Sequence, residues 1–228
     1  EVPAKDAGAL ARLPIDRVFT MKGFGMVVTG TLVSGSIQKE QELEVFPKGQ
    51  RVRVRGVQVH DAPAEQAVAG QRTALNLPGV TKEELERGMT LAPPGVFHST
   101  WRADASLSLL PTAKPLRDRS RVHLHAYTAE TIAEVVLHEQ KRLAPGQTAL
   151  AQLRLADPAL LLPGDRFIIR QFSPVVTIGG GVVLDASPLV RKLGTEEKVR
   201  FLEKIEKGSA EEILATRVER RGKSGLTI

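Results

Sequence analysis

Between Leu13 and Gly35 the order LPIDRVFTMKGFGMVVTGTLVSG places apolar residues at Ile15, Phe19 and Met21, then at Met26, Val27 and Val28, with Gly23 and Gly25 between the two sets. The pattern predicts a β-hairpin turning at the glycines. Period-two alternation puts Arg17 on the face of Ile15 and Phe19, where a bare charge is disfavoured. Either the strand begins after Arg17, or Arg17 faces a partner or a pocket, because a buried charge has to be paired. Further on, Glu42 to Pro47 reads as a short strand ending at a turn over Pro47, Lys48, Gly49 and Gln50. In RVRVRGVQVH, Val52 and Val54 oppose Arg51, Arg53 and Arg55, but Val57 and Val59 have switched parity, which predicts a bulge at Gly56. After Gly70, Thr73, Leu75 and Leu77 alternate with Arg72, Ala74 and Asn76, so Arg72 points outward. Thr81 to Gly88 carries an N-cap threonine with Glu84 at the capping-box position and predicts one or two helical turns. Many short strands with Gly and Pro turns indicate a small barrel over residues 10–95, closed by Pro93, Pro94 and Gly95.

Residues 96–190 repeat the theme, with strands expected at Ala103 to Leu110, Arg121 to Thr128, Ile132 to Glu139, Gln147 to Leu155, Arg166 to Gln171 and Gly181 to Leu184. In RVHLHAYT, Val122 and Leu124 turn inward and Arg121, His123, His125 and Tyr127 form the opposite stripe. Such a stripe suits phosphate and ribose, and a solvated barrel face explains it as well. The three glycines Gly179 to Gly181 mark a tight barrel corner. From Thr195 the period changes: Val199, Leu202 and Ile205 are helically spaced, Gly208 stops the helix, and Ser209 caps a second one before Ile213 and Leu214. The fold class is therefore mainly β, with two tandem small β-barrels followed at 191–228 by the start of a helical segment. Residues 1–9 read as a lead-in from an upstream domain. The non-Met start and the final GKSGLTI predict a piece of a longer protein.

Composition narrows the chemistry. Lys and Arg outnumber Asp and Glu by 32 to 26, a mild bias toward an anionic partner. Cysteine is absent, which excludes disulfides, thiolate nucleophiles and Cys-ligated zinc and fits a reducing cytoplasm. No apolar run approaches the length of a membrane span, so no membrane partner is expected. Gly222, Lys223 and Ser224 end like a phosphate loop, but Arg217 stands where its first glycine belongs. Gly23 and Gly25 begin like a dinucleotide fingerprint, but Val28 takes the third glycine's place and a strand follows. The five histidines offer no third metal ligand beside His123 and His125, and no nucleophile triad declares itself. No metal site and no catalytic residue are expected.

The stretches IDRVFTMKGFGMVVTGTLVSGSI, GQRTALNL, VTKEELERGM and LPGDRF resemble the two barrels that follow the GTPase domain of translational GTPases. Asp16 with Arg17, Arg72, and in the second barrel SLSLLP, RVHLHAYTAE, APGQTALAQLRL and SPVVTIGGGVVLD, resemble the selenocysteine-specific elongation factor family in particular. That resemblance implies binding of selenocysteinyl-tRNA and delivery to the ribosome. It also implies winged-helix modules beyond the second barrel that hold an mRNA hairpin, and a GTPase domain, with GTP and Mg, outside this chain; the chain itself is then not an enzyme. Selenocysteine and its serine precursor differ by selenium for oxygen, and only the selenol ionises at neutral pH. Two guanidiniums, always protonated, favour the anion. On that resemblance the pocket falls to Arg17 and Arg72, with Asp16 orienting one of them or meeting the aminoacyl amine, and Lys22, Arg121, His123 and His125 are candidate tRNA contacts. The barrels of a general elongation or initiation factor are the neighbouring reading, in which an amide or acid is expected in place of Arg72. A metabolite-binding barrel enzyme and a protein-interaction scaffold are readings of other classes.

Overall fold

The computed structural model describes residues 8–23, 25–188 and 195–221. The glycine-lysine-serine run at 222–224 and most of the lead-in lie outside them. Strands follow in the order β1 (Leu13–Met21), β2 (Gly25–Thr31), β3 (Ser36–Gln38), β4 (Glu42–Phe46), β5 (Gln50–Arg53), β6 (Gly56–Val59), β7 (Ala62–Ala64), β8 (Gln66–Val68), β9 (Arg72–Leu77) and β10 (Thr90–Ala92). After these come β11 (Thr100–Leu109), β12 (Leu116–Arg117), β13 (Ser120–Ala126), β14 (Ala129–Leu137), β15 (Arg142–Leu143), β16 (Thr148–Ala159), β17 (Arg166–Arg170) and β18 (Thr177–Asp185). Two helices close the order, α1 (Thr195–Lys207) and α2 (Ala210–Arg221). The chain forms two compact units. The first runs to Ser99 and takes in Tyr127–Glu130 and Pro158–Leu160; the second holds the rest.

The first unit is a barrel-type antiparallel sheet in the order β5-β4-β10-β1-β2-β9-β6-β7, with β3 and β8 as a separate pair. Its core is aliphatic, with Leu13, Ile15, Val28, Leu32, Leu43, Leu75 and Leu91 fully buried, each side chain contributing about 1.5–3 kcal/mol on leaving water. The β1–β2 hairpin forms as expected, but its register breaks between Ile15 and Arg17: Ile15 faces Gly30 and Arg17 faces Thr29, leaving Asp16 as an extra residue. That bulge removes the conflict and overturns the alternative in which the strand begins after Arg17. Arg17 lies within the strand, and the inserted residue moves it to the outer face. Phe19 and Met21 move with it and are 38% and 40% exposed, while Val18 packs against the core.

Two further expectations change. The parity switch near Gly56 is no bulge but a break between two strands. β5 pairs with β4, β6 pairs with β7 and β9, and Val54 and Arg55 between them donate to Gln41 O and Asn76 O. Thr81 to Gly88 forms turns and no helix. Only half of the capping box is made, Thr81 N donating to Glu84 Oε2 at 2.6 Å, while Lys48 Nζ takes the carbonyls of Glu83 and Glu84. Leu85 drops into the core and the chain must at once rejoin β1, so the costly first turn has nothing to propagate into.

In the second unit the six expected strands are the six of a closed barrel, β11-β16-β14-β13-β17-β18, and β12 pairs with β15 as a two-residue ribbon. The expected corner at Gly179 to Gly181 is instead the interior of β18, paired with β11 and β17; glycine is needed because a Cβ at Gly179 or Gly181 would strike the carbonyl oxygens of Ser108 and Ser106. Both helices form where expected. Ser209 and Glu212 complete a reciprocal capping box at the start of α2. Val199, Phe201, Leu202 and Ile205 of α1 pack with Leu150 and Leu184 of the barrel and with Ile213 of α2, whereas Leu214 is exposed. No helix among the described residues is long and apolar enough to cross a membrane.

Candidate functional site

Three adjacent strands of the first unit build a charged cluster on its outer face. β9 opens with Arg72 opposite Thr31 of β2, and Thr29 of β2 stands opposite Arg17 of β1. The bulge presents Asp16 next to Arg17 on this face. Arg72 Nη2 donates to Asp16 Oδ2 at 2.8 Å and to Thr29 Oγ1 at 3.2 Å. The second carboxylate oxygen, Oδ1, faces Arg87 Nε at 3.9 Å. Arg17 is exposed and makes no ion pair among the described residues. Three guanidiniums therefore surround one carboxylate. The hydrogen bond from Arg72, the largest cause, holds the Asp16 carboxyl below its ordinary value against an opposing push from desolvation, with the charges of Arg72, Arg87 and Arg17 adding to the lowering.

Beside the cluster lies a groove of about 520 Å³, reached through Thr29 and walled by Phe19, Met21, Val27 and Asn76. Exposed Phe and Met flanking amide and hydroxyl groups form a surface on which a flat ring can stack and hydrogen-bond.

The structure thus brings Asp16, Arg17 and Arg72 together, and adds Arg87 and Thr29, which sequence reasoning missed. Neither had a clear signal: Thr29 follows three consecutive apolar residues that hide the parity of β2, and the place of Arg87 depends on how the 81–89 turn returns to β1. Lys22 is exposed at the hairpin tip, six residues from Asp16 and so about 20 Å along an extended strand. Arg121, His123 and His125 belong to the second unit. There Arg121 is exposed, His123 stacks parallel to His125 at 6.5 Å and lies 4.4 Å from the Phe172 ring, and the stripe ends at His125 because β13 stops at Ala126. Also missed is a basic ribbon: Arg117 and Arg142 are direct cross-strand partners, and Lys114 and Lys141 nearby are exposed too. Like charges placed opposite each other oppose pairing unless an anion joins them. No group of three His, Asp or Glu side chains among the described residues could hold a metal ion.

Residues 103–189 match the family model described as the β-barrel domain of the selenocysteine-specific elongation factor, and residues 25–92 match elongation factor Tu domain 2. The selenocysteine-specific elongation factor of Desulfomicrobium baculatum is 42% identical over 96% of this chain and 34% of its own length. That of Haemophilus influenzae is 33% identical over 84% of this chain and 30% of its own length. The chain belongs to the selenocysteine-specific elongation factor family. It spans about a third of the length of these family members. Elongation factor Tu 2 of Streptomyces avermitilis is also similar, at 30% identity over 80% of this chain and 47% of that protein, so the barrel pair is shared across translation factors. The basic ribbon lies within the residues that match the selenocysteine-specific model, and Arg72 and Arg87 within those that match elongation factor Tu domain 2, while Asp16 and Arg17 precede both matches.

Proposed function

We propose that this chain is the tRNA-holding barrel region of a selenocysteine-specific elongation factor, and that the Asp16, Arg17 and Arg72 cluster selects the selenolate of selenocysteinyl-tRNA over the hydroxyl of its serine-charged precursor. The observation that carries the reading is the cluster's excess of positive charge beside a groove with an exposed ring. A selenolate can join Arg72 and Arg17 as a second anion, while a neutral hydroxyl leaves those cations uncompensated. The groove suits an unstacked terminal base. Arg121, Arg117, Arg142 and Lys114 suit the phosphate backbone of the tRNA flank, in a salt-dependent manner, and His123, His125 and Lys22 are further contact candidates. GTP and Mg belong to a GTPase domain outside this chain, the ribosome is the destination, and α1 and α2 open the winged-helix region that holds an mRNA hairpin. The factor works in the cytoplasm.

The test is equilibrium binding of the full-length, GTP-loaded factor to selenocysteinyl-tRNA and to its seryl form at fixed salt, with wild type beside Arg72→Ala. Wild type should prefer the selenium form and Arg72→Ala should lose that preference. Equal binding of both tRNAs by wild type would move the reading to a general tRNA carrier.

A further inference from the structure

The two oxygens of Asp16 face different guanidiniums: Oδ2 takes Arg72 at 2.8 Å and Oδ1 faces Arg87 at 3.9 Å. The backbone that carries Arg87 is tied to β1 immediately before Asp16, with Gly88 N donating to Ile15 O at 3.0 Å and Ile15 N donating to Met89 O at 2.8 Å. Arg87 therefore projects from a fixed turn, while its side chain, 71% exposed, remains free to close on the carboxylate. Arg72 is already committed to Asp16. An anion arriving at Arg72 has to draw that guanidinium away, and would then face the bare Asp16 carboxylate across the site at a repulsive cost.

We propose that Arg87 is a specificity-determining residue of this pocket, taking over Asp16 as Arg72 turns to an anionic ligand. The exchange keeps Asp16 neutralised in both states. Only an anion gains enough from Arg72 to drive it, so a neutral hydroxyl leaves the Arg72–Asp16 pair closed. Selectivity then rests on three guanidiniums, with the third acting through the carboxylate and not on the ligand. This inference rests on the selenolate reading above and adds a residue to it.

Two measurements test it. In the full-length, GTP-loaded factor, Arg87→Gln should lower the ratio of selenocysteinyl-tRNA to seryl-tRNA affinity by about tenfold, the scale of a lost charged contact, and Arg87→Lys should restore part of it because the point charge remains. A ratio unchanged by Arg87→Gln, with both affinities falling together or not at all, overturns the exchange and leaves Arg87 a general backbone contact or a bystander. If wild type itself shows no preference, the selenolate reading fails first, which separates the two failures. In the 228-residue chain, NMR titration of the Asp16 carboxyl gives a readout without tRNA. Arg72→Gln should leave Asp16 below its ordinary value because Arg87 closes on it, and Arg72→Gln with Arg87→Gln should bring it nearer that value, leaving only the charge of Arg17. An Asp16 carboxyl that titrates alike in Arg72→Gln and in the double variant contradicts the exchange.

Discussion

Asp16 and Asp104 each stand on a β-strand with a cation close by, Arg72 at 2.8 Å and Lys198 at 3.0 Å, and the carboxyl of each is held below its ordinary value. Their surroundings differ in kind. Asp104 is 1% exposed on β11 and meets Lys198 of α1, His138 Nε2 at 3.6 Å and a hydrogen bond from Gln152 at 3.1 Å. Burial pushes its carboxyl up, and contact with His138 and Lys198 outweighs that push. Its one permanent cation, Lys198, is matched to the one carboxylate, and the pair ties α1 to β11. A second lock lies nearby, Arg220 of α2 on Asp185 at 2.6 Å. Around Asp16 the cations outnumber the carboxylate and stay wet, with Arg72 46% and Arg87 71% exposed. A buried carboxylate matched by its cation ties the fold together, whereas one over-supplied with exposed cations has charge to spare, which is what the proposed selenolate site requires.

The largest effect is expected from Asp104→Ala, which leaves Lys198 without its buried carboxylate. It should cost about 3 kcal/mol of stability, read as a fall in urea midpoint with α1 losing its hydrogen-exchange protection. A loss no larger than that of Asp16→Ala would erase the distinction. Next in size, Arg72→Ala should weaken selenocysteinyl-tRNA binding by about 1.5–3 kcal/mol, and should change unfolding by at most about 1 kcal/mol because the pair is exposed. The two lesions thus trade places between the stability and the binding assays.

Acid supplies a subtler separation. The folded carboxyl of Asp104 lies below its ordinary 3.8, so its contribution is complete at neutral pH and is lost as pH falls through that depressed value. Urea midpoints of wild type should therefore drop in strong acid, and those of Asp104→Asn should drop less. The smallest effect belongs to Asp16→Asn, expected to shift unfolding by less than about 1 kcal/mol at any pH, checked in the same titration. A large stability loss there would make Asp16 structural.

Most of the architecture was legible because period two and period 3.6 are written in one-residue steps. All six strands of the closed barrel and both helices follow from apolar spacing, and Arg72 faces outward as its alternation requires. What stayed hidden depends on contacts distant in sequence. The bulge at Asp16 reverses the parity of Arg17, Phe19 and Met21, and alternation alone reads it as a conflict. Thr81 and Glu84 spell a helix start, yet Leu85 is claimed by the core of the sheet before a turn can close. Arg87 reaches Asp16 only through the return of that turn to Ile15, a pairing of residues some seventy positions apart. The ribbon of Arg117 and Arg142 was visible as basic residues, but not as cross-strand partners.

If charge and not size decides which ligand the Asp16 cluster accepts, selectivity must depend on pH. Guanidiniums stay protonated throughout, and the Asp16 carboxyl is held below its ordinary value, so at the cluster, across the range where a selenol titrates, only the ligand changes charge. The ratio of selenocysteinyl-tRNA to seryl-tRNA affinity of the full-length, GTP-loaded factor should be large at neutral pH and fall toward one as the pH is lowered through that range. A ratio that stays constant while the selenolate is protonated would contradict the account and leave the size of selenium as the discriminator.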